Sequence, residues 1–148
     1  MATAERDFWP ESVNVEAVIP PAVLLREQAA LLAEKTKGLV RGEVTTTEQR
    51  FESVEEYLQE AVPPDGFVEY VHTLYLVVPA LGNYRYALLT VRHDFQPYPC
   101  VVEYLPSRSS HKVEWERDFP PYLKFCLGRN ETTRVIHALL SRISTAPN

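Results

Sequence analysis

Two histidines occupy comparable places in the two most strongly β-forming runs of the sequence, His72 in Phe67–Val78 and His93 at the end of Tyr84–His93. If Gly82-Asn83 is a two-residue hairpin turn, the two histidines oppose each other and their rings share a face. Imidazole titrates near physiological pH and binds metals, so the pair could act as an acid and a base or as two metal ligands. A metal site normally uses three or four ligands, and spacing supplies no third. A structural role is therefore favoured, and His72 and His93 are kept as an alternative ligand site.

The register of this hairpin has an alternative. Pro79 has no N–H to donate and belongs at the end of a strand or beyond it. If the whole Pro79–Asn83 segment is the loop, the register shifts and His72 opposes Thr90 instead of His93. We prefer the two-residue turn because it sorts the aliphatic residues onto one face.

The same register predicts a second sheet face that carries tyrosine, threonine and arginine. Tyrosine offers a large, stiff contact area with a polar tip and is enriched at protein interfaces. Its high β-propensity is an equally weighted, purely structural explanation. The predicted partner-binding residues on this face are Tyr75, Tyr84, Tyr86 and Arg92.

The remaining patterns predict the elements that position these residues. The predicted helices and strands are a helix at 22–37, a strand at 40–49, a short helix at 53–61, strands at 67–78, 84–93, 98–105 and 112–115, and helices from Pro120 to near Gly128 and from Asn130 to about Ile143. Successive strands with short connections favour an antiparallel meander. We therefore predict a single α+β domain, with an antiparallel sheet of three to five strands and one N-terminal and two C-terminal helices on one face. Residues 1–19 are a predicted loose lead-in, 20–143 the domain and 144–148 a frayed tail.

Composition and charge restrict the function classes. The net charge of −5 opposes general binding to nucleic acid, and no apolar run approaches the length of a membrane span. The residues before Pro20 lack the apolar core of a signal peptide, and Cys100 and Cys126 lie far apart outside any metal-binding motif. We expect a cytoplasmic protein without metal, cofactor, nucleic-acid or membrane partner.

One resemblance adds context. The stretch Leu76–Tyr86, after the helix at Leu24–Ala29 and before Thr133–Ile136, resembles a group of small uncharacterised bacterial cytosolic proteins. The likeness covers most of the chain from about Pro20 to Ile143. It implies a bacterial, cytosolic, single-domain protein, and it carries no activity, cofactor or catalytic residue.

No catalytic motif is present, so the sequence favours a non-enzymatic protein-binding module of the immunity, antitoxin or accessory-subunit type. Such a module would act by occluding or docking on a protein partner. The alternative is a small enzyme or a nucleotide- or ligand-binding domain that uses the His72/His93 region. Association between copies of the chain through the same sheet face is a third hypothesis.

Overall fold

The computed structural model describes residues 6–15, 18–50 and 68–145 of the 148-residue chain. Within them, an N-terminal helix, a five-stranded antiparallel sheet and two C-terminal helices confirm the predicted α+β class. The elements are α1 (Pro21–Lys35), β1 (Arg41–Arg50), β2 (Val68–Val78), β3 (Tyr84–His93), β4 (Cys100–Tyr104), β5 (Ser109–Val113), α2 (Phe119–Leu127) and α3 (Asn130–Thr145). The predicted helix at 53–61 lies outside the described residues.

The sheet is a simple meander in the order β1-β2-β3-β4-β5, and each strand pairs antiparallel with the next. Side chains along each strand alternate between two faces. On β4, for example, Cys100, Val102 and Tyr104 are buried, whereas Val101 and Glu103 between them are partly exposed. We call the buried side the helix face and the other side the open face.

The preferred hairpin register is wrong. β2 ends at Val78, the loop is a 3-10 turn at Pro79–Leu81 followed by Gly82 and Asn83, and β3 begins at Tyr84. Val78 pairs with Tyr84, as the alternative with the longer loop requires. Proline decides the outcome, because it cannot donate to the ladder and instead begins the 3-10 turn.

A bulge then shifts the register by one residue farther along the hairpin. Tyr75 pairs with Ala87, but Leu74 pairs with Leu89, so Leu88 is the extra residue on β3. Beyond this point His72 pairs with Val91. Neither of the two predicted partners of His72 is therefore the observed one.

Helix α1 lies directly against β1. It begins at Pro21, where the missing N–H costs no hydrogen bond. It ends before Gly38, whose left-handed backbone donates its N–H to the carbonyl of Ala33. A Cβ at Gly42 of β1 would lie 2.4 Å from the Cα of Ala29, so only glycine permits this separation of helix and strand.

Helices α1, α2 and α3 all cover the helix face. Leu25 of α1, Phe119 of α2 and Leu139 of α3 belong to one buried cluster with side chains from β2 to β5. The apolar side of α3 faces this cluster, since the partly buried Val135 and Ile136 pack against it. Helix α3 continues through Thr145, two residues beyond its predicted end at Ile143.

Candidate functional site

The two histidines meet on the helix face although they do not oppose each other. His93 pairs with Tyr70, so His72 is its diagonal neighbour across the hairpin. Their Nε2 atoms are 2.7 Å apart, and the ring of His93 also stacks on Tyr70 with 5.5 Å between centroids. His72 pairs with Thr46 of β1, whose hydroxyl lies 2.8 Å from His72 Nδ1. All four ring nitrogens have partners, because His93 Nδ1 contacts the carbonyl of Asp94 at 2.7 Å.

The carbonyl of Asp94 fixes the direction of this hydrogen-bond chain. A carbonyl can only accept, so His93 carries its proton on Nδ1. In a neutral pair, Nε2 of His93 then accepts from Nε2–H of His72, and Nδ1 of His72 accepts from the hydroxyl of Thr46. One added proton can be held on His93 if His72 changes tautomer and donates to Thr46 instead. A second proton would place two N–H groups against each other.

Burial opposes the charged form of the inner histidine. His72 is only 5% exposed, and its pKa is lowered to about 4, chiefly by burial. The neighbouring His93 and the guanidinium of Arg26 on α1 contribute smaller parts of this shift by repelling a positive charge. The same positive neighbour disfavours a metal cation. Among the described residues no group of three or more His, Cys, Asp or Glu side chains could hold a metal ion.

The structure divides the four predicted partner-binding residues between the two faces. Tyr75 and Arg92 lie on the open face, where Arg92 is 3.9 Å from the carboxylate of Glu69. The guanidinium of Arg85 lies 4.0 Å above the ring of Tyr75 and 2.8 Å from the carboxylate of Glu43. Tyr75 is therefore partly covered by an ion-paired arginine.

Tyr84 and Tyr86 lie on the helix face, because they pair with Val78 and Leu76. Tyr86 packs against the buried cluster, and Tyr84 is exposed beside Arg142 at the end of α3. Grouping these two tyrosines with Tyr75 on one surface was wrong. The error follows from the register. Val78 pairs with Tyr84, whereas the two-residue turn would pair it with Ala87, and a shift by an odd number of residues moves every side chain to the other face.

A different surface, which we call the aromatic cleft, lies where the β3–β4 loop meets the turn after β5. Ile19 ties these segments together through its backbone. Its N–H donates to the carboxylate of Glu116 at 2.8 Å, and its carbonyl accepts from the hydroxyl of Tyr98 at 2.8 Å. Burial, assisted by Cys100 and Glu116, raises the pKa of Tyr98, so this hydroxyl remains a donor. The ring of Tyr98 is anchored edge-on against the buried Phe119.

The cleft encloses about 430 Å³ and is open to solvent. Its lining residues are Val18, Gln96, Pro97, Tyr98, Pro99, Glu114, Trp115 and Glu116. Trp115 is 60% exposed, and Phe95 in the adjoining loop is 75% exposed. Large aromatic side chains with this exposure form an apolar surface with two carboxylates at its edge. Glu114 lies 3.2 Å from the ammonium of Lys112, and Glu116 accepts the hydrogen bond from Ile19.

Sequence reasoning missed this cleft, since it treated Trp115 as the end of a strand. One local signal was available. Trp115 stands between Glu114 and Glu116 in a chain whose only other tryptophan is Trp9. A tryptophan flanked on both sides by carboxylates is poorly suited to burial, because at least one charge would accompany it.

Comparison with protein-family models, curated proteins and solved structures gives no match to this chain. In the part of the chain that the structure describes, no helix is long and apolar enough to cross a membrane.

Proposed function

We propose that this chain is a non-enzymatic protein-binding module that docks on its partner through the aromatic cleft. The exposure of Trp115 inside a proline- and tyrosine-lined depression carries the proposal. The setting would be the bacterial cytosol, in keeping with the sequence resemblance. The two buried free thiols, Cys100 and Cys126, are compatible with a reducing compartment.

Tryptophan is the residue type most enriched among side chains that dominate binding energies, together with tyrosine and arginine. Trp115 is 60% exposed, with the guanidinium of Arg117 5.9 Å from the centre of its ring. Tyr98 is held from behind by Phe119 and by the carbonyl of Ile19. A rigid wall facing an accessible anchor lowers the conformational entropy lost on binding.

The charge near the cleft supports a partner with a basic surface. Glu114 and Glu116 lie on its edge, and the whole chain carries a net charge of −5. Complementary charge accelerates encounter and suppresses wrong partners. The partner would therefore present an apolar side chain next to lysine or arginine, and the module would occlude that basic site.

The alternative function, catalysis or ligand binding at His72 and His93, receives less support. Each of their ring nitrogens already has a hydrogen-bond partner within the described residues. An external substrate would have to displace one of them. The pair is better suited to joining β1, β2 and the end of β3 beneath α1.

The proposal is tested with tagged wild-type chain and the variants Trp115→Ala and Trp9→Ala in lysate of the native host, followed by titration with the purified partner. Trp9 is the matched control because it is 76% exposed and does not line the cleft. Loss of a hot-spot tryptophan costs about 2 kcal/mol or more, which weakens binding by about 30-fold. Trp9→Ala should bind as the wild type does.

Equal binding by Trp115→Ala and the wild type would refute the docking surface. The retained partner would then be tested against Tyr75→Ala, which removes the predicted aromatic residue of the open face. A partner without basic residues at the contact would contradict the charge argument.

A further inference from the structure

An apolar groove separates α1 from α3 on the helix face, and its lining includes no residue of the aromatic cleft or of the histidine pair. Helix α1 packs mainly on β1, whereas α3 packs on α2 and on the 3-10 turn after β2. The gap between them encloses about 220 Å³. Its aliphatic lining consists of Ala29, Leu31, Leu32, Leu74, Leu76, Leu88, Leu127 and Ile136.

The polar side chains of the groove are concentrated on α1. Gln28 and Lys35 are seven residues apart, which places them on one side of the helix, two turns apart. Thr132 also lines the groove, but its hydroxyl donates to the carbonyl of Cys126 and contacts the hydroxyl of Tyr104. The groove is thus apolar along its length, with a cation at its exposed edge.

Lys35 is available to a ligand. It is exposed and forms no ion pair with any carboxylate in residues 6–15, 18–50 or 68–145. The ammonium of Lys35 beside the aliphatic lining of the groove matches a molecule with an anionic head and an apolar tail. The mouth is framed by Leu31, which is 44% exposed although it is aliphatic.

We propose that this groove binds one unbranched, medium-length fatty acid, with the chain against the leucines and the carboxylate at Lys35. The volume supports this class of ligand. Sites for drug-sized molecules occupy about 300–1,000 Å³. At about 220 Å³, this groove suits a single aliphatic chain better than a ring system or a two-chain lipid.

A chain-length series tests the apolar part of the proposal. Octanoate, nonanoate and decanoate are titrated into the full chain by calorimetry, below their micelle concentrations. Each methylene buried in the groove should strengthen binding by about threefold to fourfold. Decylamine should bind more weakly than decanoate. An affinity independent of chain length, no binding of decanoate, or equal binding of the amine would overturn the proposal.

Two matched pairs of variants locate the site. Lys35→Gln should weaken decanoate binding by up to about fivefold, the effect of one exposed ion pair. Lys124→Gln is its control, because Lys124 also lies in the last turn of its helix but does not line the groove. Leu31→Glu should weaken binding by about tenfold or more, since it removes an aliphatic wall and repels the carboxylate.

Val23→Glu controls for the charge on α1, because Val23 is exposed on the same helix outside the groove. Circular dichroism checks that each variant folds. Equal loss of affinity in Lys35→Gln and Lys124→Gln would exclude a specific head-group contact. Trp115→Ala should bind decanoate like the wild type, so this proposal and the docking proposal can fail separately.

Discussion

The buried histidine should make the stability of the chain depend on pH in a defined window. In the unfolded chain His72 titrates near its ordinary pKa of 6.5, whereas in the folded chain its pKa is about 4. Between these values the unfolded state binds more protons than the folded state. Between pH 4 and pH 6.5 the free energy of unfolding therefore rises with pH. The contribution of the neutral His72 to stability is lost as the pH falls from 6.5 toward 4.

The magnitude follows from the two pKa values. At pH 5 the unfolded His72 is almost fully protonated and the folded one largely neutral, which lowers stability by about 2 kcal/mol relative to pH 7. No large correction for solvent screening applies, because His72 is 5% exposed.

Urea denaturation at pH 7 and pH 5 measures this difference in the wild type and in His72→Gln. The variant cannot titrate, so its loss of stability between the two pH values should be smaller by about 2 kcal/mol. His137→Gln, which removes an exposed histidine on α3, is the control and should lose as much as the wild type. If His72→Gln shows the same pH dependence as the wild type, the histidine is not held neutral by the fold.

Two further substitutions test the packing that surrounds these sites. Gly42→Ala should lower the free energy of unfolding, measured by urea denaturation, by more than about 2 kcal/mol. Its Cβ would collide with the backbone of Ala29, which cannot move aside as a flexible side chain can. Thr132→Val should cost about 1–3 kcal/mol, because it leaves the buried hydroxyl of Tyr104 and the carbonyl of Cys126 without their shared partner.

Each of these two substitutions has a matched control variant. A Cβ at Gly38 would have no atom within 4 Å, so Gly38→Ala is opposed only by the left-handed backbone at this position. It should lower the free energy of unfolding by about 1 kcal/mol, less than Gly42→Ala does. Thr132→Ser retains the hydroxyl and should recover most of the loss seen in Thr132→Val. If Thr132→Ser is as unstable as Thr132→Val, the loss of stability comes from the missing methyl group. If Gly42→Ala is as stable as the wild type, α1 can move away from β1.

The strands and helices were predictable because their patterns are local. The valine- and leucine-rich runs of β2 and β3 specify strands, and the spacing of Val135, Ile136 and Leu139 specifies the buried side of α3. Pro79 also indicated the correct, longer loop. We preferred the two-residue turn because it divides the aliphatic residues more cleanly between the two faces.

The aromatic cleft could not be predicted in the same way. The N–H of Ile19 donates to a carboxylate 97 residues away, and its carbonyl accepts from a hydroxyl 79 residues away. No periodicity encodes such contacts. The sequence analysis placed Trp115 at the end of a predicted strand and residues 94–97 between two others, and only the tertiary structure brings these segments together.

The bulge at Leu88 accounts for both the histidine pair and the floor of the groove. Before it, Tyr84 and Tyr86 share the helix face, and an uninterrupted register would continue with Leu88 and Thr90. The extra residue inverts this alternation, so that Val91 and His93 reach the helix face instead. His93 then meets His72, while Leu88 remains buried beside Leu74 and lines the groove. A regular ladder would have turned His93 toward the open face and left His72 buried opposite a threonine. One irregular residue thus determines which side chains beyond it can act together, whereas Tyr84 and Tyr86 lie before it and were misplaced by the loop length.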